Sequence, residues 1–341
     1  MPALPREQIG VALDMSGCPN RCRHCWLSHE ALSNRRMTED DLRWVVAQFR
    51  EFRREGEERP AWQHMRLSTW VREPDYSRHY RHLYDLEQEL SDLPSLRPQN
   101  ELLGVWRLAR DTEYAEWAYS IGVRVAQLSF FGMEKVTDWA FRRRGAFEDL
   151  LVATERLLAA GIRPRWQVFF TKRLLPDLPE LISLADDMRL LKRCEALGGP
   201  FVFWTHLPSP DGEAFSIEHL RPTEADLERV PRDFLEQSEK RIGGPIGVPE
   251  RKLISAFRED ERPAIPAIET IAPHGPWFAV MPNFDLYMNY SEISPAYRLG
   301  YLKAHGLARC IDVLENDSNP GLHGLFRVPV SELARRFGRP H

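Results

Sequence analysis

Cys18-Pro19-Asn20-Arg21-Cys22-Arg23-His24-Cys25 follows closely on the short apolar run Ile9 to Leu13, and its three thiols stand at a C-x3-C-x2-C spacing. Thiolates so spaced fit on one tight loop and can hold three corners of a metal cluster. An iron–sulfur cubane normally takes four cysteines, so a three-cysteine set keeps one iron open to an exogenous ligand. Two other chemistries compete for the same residues. Structural zinc wants four Cys/His ligands in paired C-x2-C knuckles; His24 sits between two cysteines, and no second knuckle follows. A disulfide framework belongs to small secreted domains, and this chain has 341 residues with five cysteines. The spacing points to one 4Fe-4S cluster ligated by Cys18, Cys22 and Cys25, with zinc the lesser alternative.

Length and composition set the frame around that loop. A chain of this size holds one large α/β domain and a smaller appendage. Hydrophobic residues at 43% and charged ones at 28% are ordinary for a globular protein. The start, Met1 to Arg6, places no apolar segment behind a basic one and does not read as a signal peptide. No apolar stretch approaches the roughly 20 residues that span a bilayer. A cytoplasmic protein with no membrane partner is expected, and that compartment suits a reduced, oxygen-sensitive cluster. The net charge of −4 gives no footprint for nucleic acid. Only six of the 46 basic residues are lysine; that bias alone is no sign of phosphate binding.

Thr38 followed by Asp41 is a capping pattern, and Leu42, Val45, Val46, Phe49 and Phe52 recur at helical spacing, which predicts the first helix of a βα unit. The loop from Cys25 to Thr38 then leaves the cluster at the carboxyl end of the first strand, where parallel α/β folds put their sites. His64 to Trp70 reads as a second strand, Leu102 to Trp106 as a third, Val123 to Ser129 as a fourth, Arg165 to Phe170 as a fifth and Pro200 to Trp204 as a sixth. Helices at about 80–93, 112–121 and 147–160, ending at proline or glycine, separate them. Alternating strands and helices mean a parallel sheet, here a partial (β/α)6 TIM-like barrel over residues 1–215. A charged helix, Thr223 to Arg241, and the glycine-rich run from Gly243 make 216–250 a helical linker. Residues 251–341 form a small α+β extension with a hairpin from Trp277 to Asn289 turning at Pro282-Asn283-Phe284-Asp285. His206, at the carboxyl end of the sixth strand, is a candidate general acid/base or substrate contact.

The cysteine spacing at the end of a first strand resembles the signature of the radical S-adenosylmethionine (radical SAM) superfamily. In that family the open iron is chelated by SAM, and one electron from the cluster releases a 5′-deoxyadenosyl radical. Glu73-Pro74 resembles the end of the family's Gly-Gly-Glu-Pro element, with Val71-Arg72 in place of glycines, which implies Glu73 as the contact of the SAM amino group. The stretch from Leu128-Ser129 through Asp138 and Arg142 to Gly145-Ala146-Phe147 is similar to a family segment that implies Ser129 and Arg142 as holders of the SAM carboxylate or ribose. A guanidinium fork suits a carboxylate. His24, between two ligands, is grouped with the cofactor contacts. The hairpin and the Leu299-Gly300-Tyr301-Leu302 segment resemble the SPASM and twitch extensions, but without the row of cysteines that binds auxiliary clusters. Asn289 stands where the first would be.

What the resemblance implies is an enzyme that abstracts a hydrogen atom from a small-molecule substrate, a sugar or natural-product intermediate. With no auxiliary cluster as electron sink, the outcome is redox-neutral: epimerisation, elimination or rearrangement. An external donor such as flavodoxin or ferredoxin supplies the electron. Cys310 or Cys194 is a candidate hydrogen-atom donor, against the ordinary role of free cysteine as a small buried hydrophobe. Tyr287, Asn289, Tyr290 and Glu292 are candidate lining residues for the extension. A ribosomal peptide is the alternative substrate; 17 residues precede Cys18, too few for a leader-binding domain. A non-catalytic iron–sulfur or zinc protein is the rival from a different class.

Overall fold

The computed structural model describes residues 4–15, 18–25, 36–70, 78–99, 101–207, 212–242, 250–265, 276–288 and 293–339; for His206 and a few residues of the helices at 232–242 and 250–257 it describes the backbone alone. The strands are β1 (Gln8–Leu13), β2 (His64–Ser68), β3 (Val125–Phe130), β4 (Arg163–Phe169), β5 (Phe203–His206), β6 (Trp277–Val280), β7 (Asp285–Met288) and β8 (Arg298–Tyr301). Two compact units divide the chain: residues 1–18, 27–95 and 250–341, and residues 19–26 and 96–249.

The first unit is built on a five-stranded sheet in the order β2-β1-β6-β7-β8. β1 pairs in parallel with β2, Val11 opposite Leu67, and on its other edge in parallel with β6, Val11 opposite Phe278. From Ile9 to Leu13 it is buried at every residue, as a strand flanked on both faces should be. The helix Glu39–Glu51 is capped by Thr38, whose side chain accepts from the Asp41 N–H while Asp41 answers to the Thr38 N–H. Its stripe Leu42, Val45, Val46 and Phe49 is buried, and at about 1.5–3 kcal/mol per large side chain that stripe, more than the cap, holds it in place. Phe49 meets Trp62 and Phe278 with ring centroids 5.9 and 5.5 Å apart. β6 and β7 form the expected hairpin, turning where Asn283 Oδ1 accepts from the Asp285 N–H at 3.1 Å.

The second unit carries the parallel sheet β3-β4-β5, with Ser129 opposite Gln167 and Phe169 opposite His206. The helix Ala146–Ala159 covers one face: the fully buried Trp166 of β4 donates its indole N–H to Thr154 Oγ1 at 3.1 Å and lies 4.2 Å from the ring of Phe130. Parallel strands interleaved with helices make the architecture α/β. Two expected elements differ. Leu102 makes a single parallel bridge to Gln127, and Val105–Leu108 is a turn of helix after Gly104 with Val105 and Leu108 both buried, a spacing of three instead of two. The charged helix is two helices, Glu224–Leu227 and Arg232–Ile242; between them stands Pro231, and a proline disfavours the helical region for the residue before it.

Candidate functional site

The last carbonyls of a helix have no partner within it, and in the second unit the cysteine loop supplies partners for those of the helix Glu134–Phe141. Arg142 closes that helix in a left-handed conformation, φ +50°. The Arg21 N–H then donates to the carbonyl of Phe141 at 3.3 Å, the Arg23 N–H to that of Ala140 at 2.8 Å, and Arg23 Nε to that of Trp139 at 3.1 Å. Further on, the Cys25 N–H closes a turn onto the Cys22 carbonyl at 3.2 Å, and the Cys25 carbonyl accepts from the Glu213 N–H at 2.9 Å. The loop is fastened at both ends.

Cys22 and Cys25 are half-buried on that turn and form no disulfide; Cys18, also half-buried and in no disulfide, belongs to the first unit, beyond β1. Among the described residues no three or more His, Cys, Asp or Glu side chains are gathered as a metal-holding group. In chemistry the donors fit an iron–sulfur cluster, since thiolates are soft ligands for iron and two of them share one short turn. The surroundings are positive. Burial and, after it, the guanidinium groups of Arg142 and Arg173 press the Arg23 side chain below its ordinary pKa, and Arg23 and Arg173 lie 4.7 and 4.1 Å from the ring centre of Trp139.

Between the two thiols, His24 puts its ring into an aromatic nest, 4.4 Å from Phe131 and 4.5 Å from Phe169, which are themselves stacked at 4.6 Å and nearly parallel. Phe141 closes the nest edge-on at 6.0 Å. Arg142 reaches to within 3.8 Å of Glu213 Oε2, the residue whose N–H holds Cys25. Ser129 donates its hydroxyl to Gln167 Oε1 at 3.1 Å. This is one rung of a polar ladder the sequence reading missed: Gln127 Nε2 donates to Gln167 at 2.5 Å, Arg165 to Gln127 Oε1 at 2.6 Å, and Arg165 pairs with Glu101 and stacks 4.6 Å over Trp204. The signal was available in the period-2 alternation of Gln127 with Ser129 and Arg165 with Gln167, which places all four on the sheet face opposite Trp166.

The remaining candidates do not join this group in the described structure. Glu73, with Pro74, lies outside the described residues, as do Asn289, Tyr290 and Glu292. His206 ends β5 opposite Phe169, and its side chain is outside the description. Tyr287 is buried on β7. Cys310 is fully buried in the core of the first unit, on the helix Leu302–Glu315, so close to Gly300 that a Cβ there would lie 2.6 Å from its sulfur. Burial, followed by the carboxylate of Asp285, pushes the Cys310 thiol up to about 11; burial does the same for Cys194.

No family model matches the sequence, and a search of curated proteins finds no match. Solved structures do match. The chain superposes on native anSMEcpe with bound AdoMet at a TM-score of 0.50 and 12% identity, over 91% of this chain and 82% of that one. It does so equally on the same protein with AdoMet and the Cp18Cys peptide, over 92% and 82%. Coproporphyrinogen III oxidase (HemN) from Escherichia coli, described as a radical SAM enzyme, matches more loosely, with a TM-score of 0.43 and 11% identity over 98% and 80%. No helix among the described residues is long and apolar enough to cross a membrane. The chain has the fold of radical SAM enzymes.

Proposed function

We propose that the protein is a radical SAM enzyme in which Cys18, Cys22 and Cys25 hold a 4Fe-4S cluster and Glu73, Ser129, Arg142 and His24 serve the bound AdoMet. The observation that carries this is the fastening of the Cys22–Cys25 turn onto the helix that ends at Arg142, in a chain with the fold of an AdoMet-bound enzyme. The chemistry such a cluster supplies when bound is one-electron reduction of AdoMet, from which a 5′-deoxyadenosyl radical forms. The protein's share is to bind, orient and exclude water. Arg142 holds its guanidinium 3.8 Å from Glu213 Oε2, and a guanidinium fork matches a carboxylate. The Ser129 hydroxyl, near the carboxyl end of β3, is suited to a ribose or carboxylate oxygen. The nest of Phe131, Phe141 and Phe169 about His24 keeps water from that side of the loop.

The substrate we favour is a small molecule, with a redox-neutral outcome, because only Cys194 and Cys310 remain outside the motif and an auxiliary cluster would need a row of thiols. A peptide substrate is the second reading, favoured by the match to a structure holding the Cp18Cys peptide. A flavodoxin or ferredoxin would be the electron donor and the cytoplasm the compartment. The domains would be a barrel portion to residue 215, a linker to 250 and an extension to 341. Anaerobic reconstitution with iron and sulfide tests the reading. Cubane absorbance that is lost in Cys18→Ser, Cys22→Ser and Cys25→Ser supports it; zinc taken up without iron, as expected of a non-catalytic protein, overturns it.

A further inference from the structure

We infer that Arg143 is a positioning residue, which through Asn20 fixes the conformation in which the loop presents Cys22 and Cys25. What those thiols hold rests on the proposed function; the fastening itself does not. Asn20 is buried, two residues ahead of Cys22, and its side-chain oxygen accepts from Arg143 Nε at 2.6 Å. The neighbouring Nη1 of the same guanidinium donates to Asp149 Oδ2, also at 2.6 Å, and that oxygen takes a second donor, Arg110 Nη1, at 2.9 Å. Asp149 lies in the first turn of the helix Ala146–Ala159, where the helix dipole favours its charge. A planar guanidinium carries its donors in a rigid fork, so holding one to Asp149 aims the other at Asn20. A lysine ammonium has no such geometry.

The base of this clamp is itself held. The Arg143 N–H donates to the Asp138 carbonyl at 3.1 Å, and the Asp138 carboxylate accepts from the N–H groups of Gly145 at 2.6 Å and Phe147 at 3.0 Å. The two left-handed residues, Arg142 and Gly145, are thereby locked on either side of Arg143. In the loop, backbone ties at Arg21 and Arg23 alternate with the side-chain tie at Asn20. Residues 20, 21 and 23 are restrained on either side of Cys22. Groups that orient ligands without touching the metal typically change metal affinity by 10–100-fold when removed.

Three variants test the clamp: Asn20→Leu, which keeps the shape and removes the acceptor; Asn20→Asp, which keeps the acceptor; and Arg143→Lys, which removes the fork. In metal-free protein, iodoacetamide modification of Cys22 and Cys25, followed by peptide mapping, is expected to run several-fold faster in Asn20→Leu and Arg143→Lys than in wild type, with Asn20→Asp restored. In iron-reconstituted protein, a chelator should strip iron about tenfold faster from the first two, and the electron paramagnetic resonance signal of the dithionite-reduced protein should change shape in them but not in Asn20→Asp. If Asn20→Leu melts well below wild type, the comparison of Arg143→Lys with Asn20→Asp decides. Wild-type rates of modification and of iron release in both Arg143→Lys and Asn20→Leu would overturn the inference. Failure of the wild type to bind iron would instead sink the proposed function and leave the modification experiment to judge the clamp.

Discussion

Arg142 ends its helix with φ +50°, a conformation that costs a non-glycine residue roughly 1–2 kcal/mol and that glycine usually supplies at this place. The sequence retains an arginine there, which is understandable if the guanidinium is needed. Arg142→Gly separates the two demands. Its thermal stability should hold or rise by about 0.5–1 kcal/mol, while AdoMet affinity, followed by equilibrium dialysis, falls tenfold or more; unchanged AdoMet affinity would remove Arg142 from the site. Cys310 supplies a second case. Its thiol ionises less readily folded than unfolded, near 11 against the ordinary value of 9. The folded state therefore keeps its proton longer, and the associated stability, intact below pH 9, is lost as pH rises from about 9 to about 11. On the order of 2–3 kcal/mol is involved. Urea unfolding across that range should show a shallower decline in Cys310→Ala, and at pH 8 iodoacetamide should modify Cys22 and Cys25 before Cys310.

At the scale of elements, legibility followed locality. The helix Glu39–Glu51 was readable because its cap, Thr38 and Asp41, and its buried stripe lie within a dozen residues. Thr38→Ala should cost about 1 kcal/mol, seen in the denaturation midpoint. Leu102 to Trp106 misled because a short apolar run fits strand and helix alike, and the buried spacing of Val105 and Leu108 decided for helix. The pairing of β6 with β1 was not readable at all. It joins Gly10 to Trp277, and contacts so distant in sequence leave no local signature. One glycine records it: a Cβ at Gly10 would lie 2.2 Å from the Trp277 ring. Gly10→Ala is expected to cost about 1–3 kcal/mol or more, with Trp277 fluorescence shifting toward that of an exposed indole.

For the whole molecule, the candidate site was half legible. The three cysteines announced themselves by spacing, and Ser129 and Arg142 by resemblance. The tie of Arg143 to Asn20 and the ties of Gln127 to Arg165 and Gln167 were hidden because they are contacts across 38 to 123 residues. We propose that this chain runs radical chemistry from one short loop. The most direct test is 5′-deoxyadenosine released from AdoMet by the anaerobically reconstituted protein with dithionite, measured by liquid chromatography and mass spectrometry. The account predicts product from wild type and none from Cys22→Ser; no 5′-deoxyadenosine from iron-loaded wild type would contradict it.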